Sequence, residues 1–244
     1  MTQKERERGK MEIFLDTASA KEIREMLQWG VTSGVTTNQK IFSAEKGVNF
    51  KDRVFEILSL VDGPLSVELT NTCGSDDDMV EEAVEYSSWS PKNIVIKVPM
   101  FGDGRGLRIV NRLRKKNIKT NVTCLITVNQ VLLAAMAGAT YASIFFNRVR
   151  DAGLDAVKTV EESMRILREG DLPTKIIVGS IRKPEDVHEI AAAGPHVITI
   201  PYKILKQMPL HQKTEDTIKE FDTAWLEFKR VEAAVAAPSV AAHA

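Results

Sequence analysis

The stretch NIVIKVPM, residues 93–100, decides how the chain is read. Alternate side chains of a β-strand point to opposite faces. Ile94, Ile96 and Val98 share one parity here and Lys97 falls on the other. With the aliphatic parity assigned to a helix-covered outside, Lys97 points inward. Short β-branched runs of the same kind occur at 12–15, 34–38, 65–70, 118–123, 140–146, 175–180 and 197–200, which makes eight. Segments of helical period follow them, for example 19–29, 75–87, 104–116, 127–137, 154–169 and 184–193. Ser75 before a run of Asp reads as an N-cap with an acidic first turn, and Gly138 and Gly194 sit where a helix ends on a left-handed residue. Alternating β and α units imply a parallel sheet. Eight of them predict an α/β fold, a closed (β/α)8 TIM barrel, with one further amphipathic helix over 214–229.

The expected division is a charged, disordered leader at 1–10, a barrel catalytic domain at 11–210, a C-terminal helix at 211–231 and a flexible Ala-rich tail at 232–244. A barrel of ~250 residues is an ordinary single domain, and the chain has 244. Its 33 Lys and Arg balance 33 Asp and Glu and are interspersed with them. That argues against a nucleic-acid binder, which needs a clustered cationic surface. No apolar run approaches the ~18 residues that span a bilayer, and the N-terminus lacks the apolar core and cleavage site of a secretory signal, so a cytoplasmic, membrane-free protein is expected. Cys73 and Cys124 form no CxxC, and His188, His196, His211 and His243 have no metal-ligand spacing, so no metal is expected. No GxGxxG or P-loop segment supports a nucleotide.

Parity also turns Asp16 away from Ile13 and Leu15, Glu68 away from Val67 and Leu69, Asn121 and Thr123 away from Val122, and Ser180 away from Ile177 and Ile181. All lie near the C-terminal ends of strands, where barrel enzymes place their chemistry. Buried unpaired charge is rare, so Asp16, Glu68 and Lys97 converging at one end of a barrel read as a site. A desolvated ammonium is disfavoured, which makes a neutral amine available to attack a carbonyl. Neighbouring carboxylates then supply the proton transfers that Schiff-base chemistry requires.

FLDTAS (14–19), GVTTN (34–38), NIVIKVPM (93–100), KTNVTCLIT (119–127), SIFFNR (143–148) and GSIRKP (179–184) together resemble the transaldolase family, in order from about 11 to 228. The small subfamily that includes the fructose-6-phosphate aldolase-like enzymes is most similar. The resemblance implies a cofactor-free enzyme in which Lys97 forms the Schiff base with a ketose phosphate and Asp16 is the acid/base at the C4 hydroxyl. It also implies that Glu68 and Thr123 hold a relay water, that Asn38, Asn121 and Ser143 orient the dihydroxyacetone unit, and that Arg148, Ser180 and Arg182 clamp phosphate. Glu68 and Phe145 match transaldolases, where the aldolase branch has glutamine and tyrosine, so transfer to an aldose phosphate in the pentose phosphate pathway is favoured over release of free dihydroxyacetone.

Gln39 stands where the family has proline, Ile144 where it has proline, Asn147 where many have glycine, and Ile126-Thr127 where Phe-Ser is common. These departures keep a transaldolase specialised for a non-standard sugar open. A silent scaffold barrel would be expected to lack one of Asp16, Glu68 or Lys97. The resemblance also implies a homo-oligomer, pentamer or decamer, to which the stripe of Phe221, Trp225 and Phe228 is suited.

Overall fold

Parallel strands buried on both faces must be covered by helices outside and by their own side chains inside. A computed structural model of the chain describes residues 11–236. The leader expected at 1–10, and the tail from 237 on, lie outside the described residues. The strands are β1 (Glu12–Asp16), β2 (Gly34–Thr36), β3 (Leu65–Glu68), β4 (Ile94–Pro99), β5 (Thr120–Leu125), β6 (Tyr141–Phe145), β7 (Lys175–Gly179) and β8 (Val197–Pro201). Each pairs in parallel with its successor, and β8 returns to β1 with Glu12 opposite Val197 and Asp16 opposite Pro201, so the barrel is closed.

The connecting helices are α1 (Ala20–Gln28), α2 (Gln39–Ala44), α3 (Phe50–Leu60), α4 (Asp76–Trp89), α5 (Arg105–Arg114), α6 (Val128–Ala137), α7 (Phe146–Asp151), α8 (Ala156–Glu169), α9 (Pro184–Ala193) and α10 (Tyr202–Gln207). The fold is the expected TIM barrel. Ser75 closes a capping box with Asp78 at the start of α4, and Gly138 and Gly194 end α6 and α9 with φ of 90° and 73°. α2, α7 and α10 have only six residues each, too few to show a helical period in the sequence.

The chain divides into a unit ending at Leu205 and a second beginning at Lys206. The second contains the C-terminal helix α11 (Gln212–Ala236), longer than the sequence pattern indicates. Along it Trp225 and Phe228 stack with ring centroids 5.3 Å apart.

Two apolar layers form the core of the barrel. The larger lies between strands and helices and contains Leu15, Val35, Val67, Ile94, Ile96, Val98, Val122, Ile144 and Val178. The smaller, Phe14, Val95, Tyr141, Ile177 and Val197, fills the barrel interior. Phe14 and Tyr141 meet edge to face at 6.3 Å. Gly34 leaves room for the Phe14 ring, since a Cβ there would lie 2.8 Å from it. The parity assigned to β7 is corrected here. Ile177 belongs to the interior layer, not the outside, because the lower interior of a barrel is itself packed with branched apolar residues.

Two positions beyond these interior residues, at the same parity, come Asp16, Lys97, Ser143, Gly179 and Thr199. The apolar layer is therefore the floor of the polar site. Below the strands, His196 accepts a hydrogen bond at Nδ1 from the Ile176 amide at 2.9 Å, and burial holds its imidazole below the usual range, so its role is structural. Replacing Phe14 with alanine is expected to cost about 3–5 kcal/mol of unfolding free energy in denaturant titrations; a loss below about 1 kcal/mol would show that the ring does not brace the floor.

Candidate active site

Strand register brings the sequence-selected residues to one end of the barrel. Glu68 on β3 pairs with Lys97 on β4, Lys97 with Asn121 on β5, and Asp16 on β1 with Thr36 on β2. Lys97 is 4% exposed, and its Nζ lies 3.2 Å from Glu68 Oε2 and donates to the Thr37 carbonyl at 3.0 Å. A buried ammonium without such partners would be strongly destabilising.

Asp16 is fastened from the other side. Thr36 Oγ1 donates to its Oδ1 at 2.6 Å, and Thr199 Oγ1 lies 2.5 Å from Thr36 Oγ1. A hydroxyl has one proton, so with Asp16 ionised the chain runs from Thr199 to Thr36 to Asp16. Burial pushes the Asp16 carboxyl above its ordinary range, against the attraction of Lys97 and the bond from Thr36. Burial likewise raises Glu68, opposed by Lys97 and by the Gln39 side chain.

Asn121 is fully buried and links three strands, donating to Ser66 Oγ at 3.2 Å and accepting from Ser143 Oγ at 2.7 Å. Thr123 Oγ1 is buried and has no hydrogen-bond partner among the described residues. Asn38 caps α2, its Oδ1 accepting from the Ile41 amide at 2.9 Å, which fixes its side chain. The next residue, Gln39, donates to the Leu69 carbonyl at 2.6 Å and so ties the start of α2 to the end of β3. Phe145 ends β6, partly buried.

Arg148, Ser180 and Arg182 lie further out. Arg148 is exposed on α7. Ser180, directly after β7, has a left-handed φ of 61°. Arg182 makes a two-pronged ion pair with Asp151, and Arg148 approaches the same carboxylate at 3.7 Å. These arginines hold the Asp151 carboxyl below its usual range.

Sequence reasoning misses Thr36, Thr199, Ser66 and Asp151. Small hydroxyls in a strand look like ordinary β-formers, and their only signal is shared parity with Asp16, Lys97 and Asn121 once register is known. Among the described residues, no group of three or more His, Cys, Asp or Glu is placed to hold a metal, and no helix is long and apolar enough to cross a membrane.

The barrel interior thus carries a buried lysine paired with Glu68 and within the field of Asp16, and comparison with known proteins gives the family. The model of the transaldolase/fructose-6-phosphate aldolase family matches residues 13–242. A probable transaldolase of Carboxydothermus hydrogenoformans is 45% identical over 220 residues, 90% of this chain and 100% of the relative. One from Thermoanaerobacter sp. is 46% identical over 88% of this chain and 97% of its own length. A thiamine phosphate pyrophosphorylase from Pyrococcus furiosus superposes with a TM-score of 0.55 at 11% identity, over 83% of this chain and 95% of that one, which shows the shared barrel alone. The chain belongs to the transaldolase/fructose-6-phosphate aldolase family.

The raised Asp16 carboxyl has a consequence for stability. The folded state holds this proton more tightly than the unfolded one, so the contribution is complete below the unfolded pKa of about 4 and is lost as pH rises through the folded value. Asp16→Asn is therefore expected to melt above wild type at pH 8, with the gap closing as the pH falls towards 4. A gap in melting temperature that does not change with pH would contradict this reading of the carboxyl.

Proposed function

We propose that the chain is a transaldolase that moves a dihydroxyacetone unit from a ketose phosphate, such as fructose 6-phosphate or sedoheptulose 7-phosphate, to an aldose phosphate through a Schiff base on Lys97. The observation that carries this is the buried Lys97 Nζ, bonded to Glu68 and the Thr37 carbonyl and within the field of Asp16. Lys97, its proton passed to Glu68, attacks the C2 carbonyl. The carbinolamine loses water to give the iminium, with Glu68 and Thr123 handling that water. The Thr123 hydroxyl, which has no partner among the described residues, supports this role.

Asp16 then removes the C4 hydroxyl proton, the C3–C4 bond breaks, and its electron pair moves into the enamine on Lys97. The aldose phosphate leaves, and a second one accepts the three-carbon unit by the reverse steps. Asn121 and Ser143, locked to each other, and Asn38, fixed by its cap, orient the dihydroxyacetone hydroxyls. Phe145 closes the site, and Arg148, Ser180 and Arg182 take the phosphate, for which guanidinium forks are suited. No cofactor is needed for any step.

The alternative within the family is cleavage that releases free dihydroxyacetone. Glu68 and Phe145 favour transfer, because the aldolase branch carries glutamine and tyrosine at those positions. Borohydride trapping with fructose 6-phosphate, peptide mapping and a transfer assay with erythrose 4-phosphate test both readings. An adduct on Lys97 with transfer only in the presence of acceptor is expected. An adduct accompanied by free dihydroxyacetone would establish the aldolase. Poor turnover with these sugars, beside efficient turnover of another ketose in a panel, would establish a specialised transaldolase.

We extend the proposal to a cytoplasmic homo-oligomer of five or ten chains acting in the pentose phosphate pathway. Phe221, Trp225, Leu226 and Phe228 are exposed on α11, a costly arrangement for a lone chain. Light scattering is expected to give a pentamer or decamer, and a monomeric mass would remove this part of the proposal.

A further inference from the structure

Behind the outer arginines lies a buried polar network with no place in the reaction steps. Asp186, at the start of α9, is fully buried. Its Oδ2 accepts from the Arg182 amide at 2.9 Å, the Lys183 amide at 3.2 Å and Asn147 Nδ2 at 2.7 Å, while Oδ1 accepts from Arg150 at 3.1 Å. Arg150 also pairs with Glu189 and lies over the Phe146 ring at 4.4 Å. The Ser180 carbonyl accepts from Asn147 twice, from Nδ2 at 2.8 Å and from the main-chain amide at 3.4 Å.

Asn147 is the hinge of this network. One carboxamide nitrogen spans the carbonyl of Ser180, whose φ of 61° is unfavourable for a residue with a Cβ, and the carboxylate that also receives the Arg182 amide. Asn147 immediately precedes Arg148 on α7. We propose that Asn147 is a positioning residue for anion recognition, fastening the Ser180–Arg182 turn to α7 so that Arg182 and Arg148 meet a substrate phosphate as one preformed site. This rests on the phosphate role of the two arginines proposed above. The pairing of both with Asp151 shows that their heads already share one anionic partner.

Burial raises the Asp186 carboxyl, but the Arg182 amide, Asn147, the Lys183 amide and Arg150 together hold it below the ordinary range. The network therefore stays assembled at neutral pH, and no proton needs to move for it to act.

The test uses the full chain carrying Asn147→Gly or Asn147→Ala. Inorganic phosphate binding is followed by calorimetry, kcat and KM are measured with fructose 6-phosphate, and borohydride trapping is run with dihydroxyacetone, which has no phosphate. The phosphate Kd and the sugar phosphate KM are expected to rise about tenfold, with kcat and dihydroxyacetone trapping unchanged, as for the loss of one charge-assisted hydrogen bond. Unchanged phosphate affinity, absent phosphate binding in wild type, or an equal loss with the phosphate-free ligand would overturn the inference. Should the glycine and alanine variants lose their cooperative melting transition, Asn147→Ser is read in the same way. Failure of the transaldolase reading is separate: it appears as absence of a Lys97 adduct in wild type, whereas the phosphate Kd reports on Asn147 without turnover.

Discussion

Closing eight parallel strands into a ring sends every second side chain of every strand towards one axis. There is no solvent-facing side of the sheet on which a polar residue can be placed cheaply. Phe14, Val95, Tyr141, Ile177 and Val197 satisfy that constraint by filling the interior with apolar volume. One step up each strand it is satisfied by pairing: Lys97 with Glu68, Thr199 with Thr36 and Asp16, Ser66 and Ser143 with Asn121. Removing one member of a buried charged pair leaves the other uncompensated, a penalty of about 3–5 kcal/mol. The paired polar groups are thus part of what keeps the barrel filled.

The sequence carries much of this architecture because the outer face of each strand is held by a strict requirement for aliphatic residues. The parity of Ile94, Ile96 and Val98 separates Lys97 from its neighbours without any knowledge of the fold. The same logic fails at β7, where Ile176, Ile177 and Val178 are consecutive and all buried, so apolarity does not distinguish inside from outside. Thr36 and Thr199 are invisible for another reason: their meaning comes from contact across 163 residues of chain, which no local pattern encodes. Asn147 is noticeable as a departure, but what it holds is apparent only once Ser180 and Asp186 are brought beside it.

Two residues near the C-terminal ends of strands leave regular geometry. Cys124, with φ of 64°, follows Thr123 where the register between β5 and β6 shifts, and Ser180, with φ of 61°, follows the last residue of β7. A left-handed backbone at a residue with a Cβ costs on the order of 1–3 kcal/mol and persists where the surroundings over-determine it. For Ser180 those surroundings are the two bonds from Asn147 to its carbonyl. Ser180 sits where the ladder gives way to a loop, whereas Cys124 lies within β5 at a bulge beyond which Leu125 pairs again with Ile144.

The hydroxyl chain that reaches Asp16 also crosses the seam of the barrel. Asp16 belongs to the first strand and Thr199 to the last, and the ladder between those strands joins the most distant parts of the barrel in sequence. Contacts between remote segments carry the largest entropy of loop closure and are slow to form. A chain with seven strands assembled and the seam open would possess Lys97 and Glu68 as neighbours but lack the completed support of Asp16. Completion of the hydroxyl chain to Asp16 is consequently expected late in refolding, and protection of the β1–β8 ladder would report ring closure more directly than the return of helical signal does.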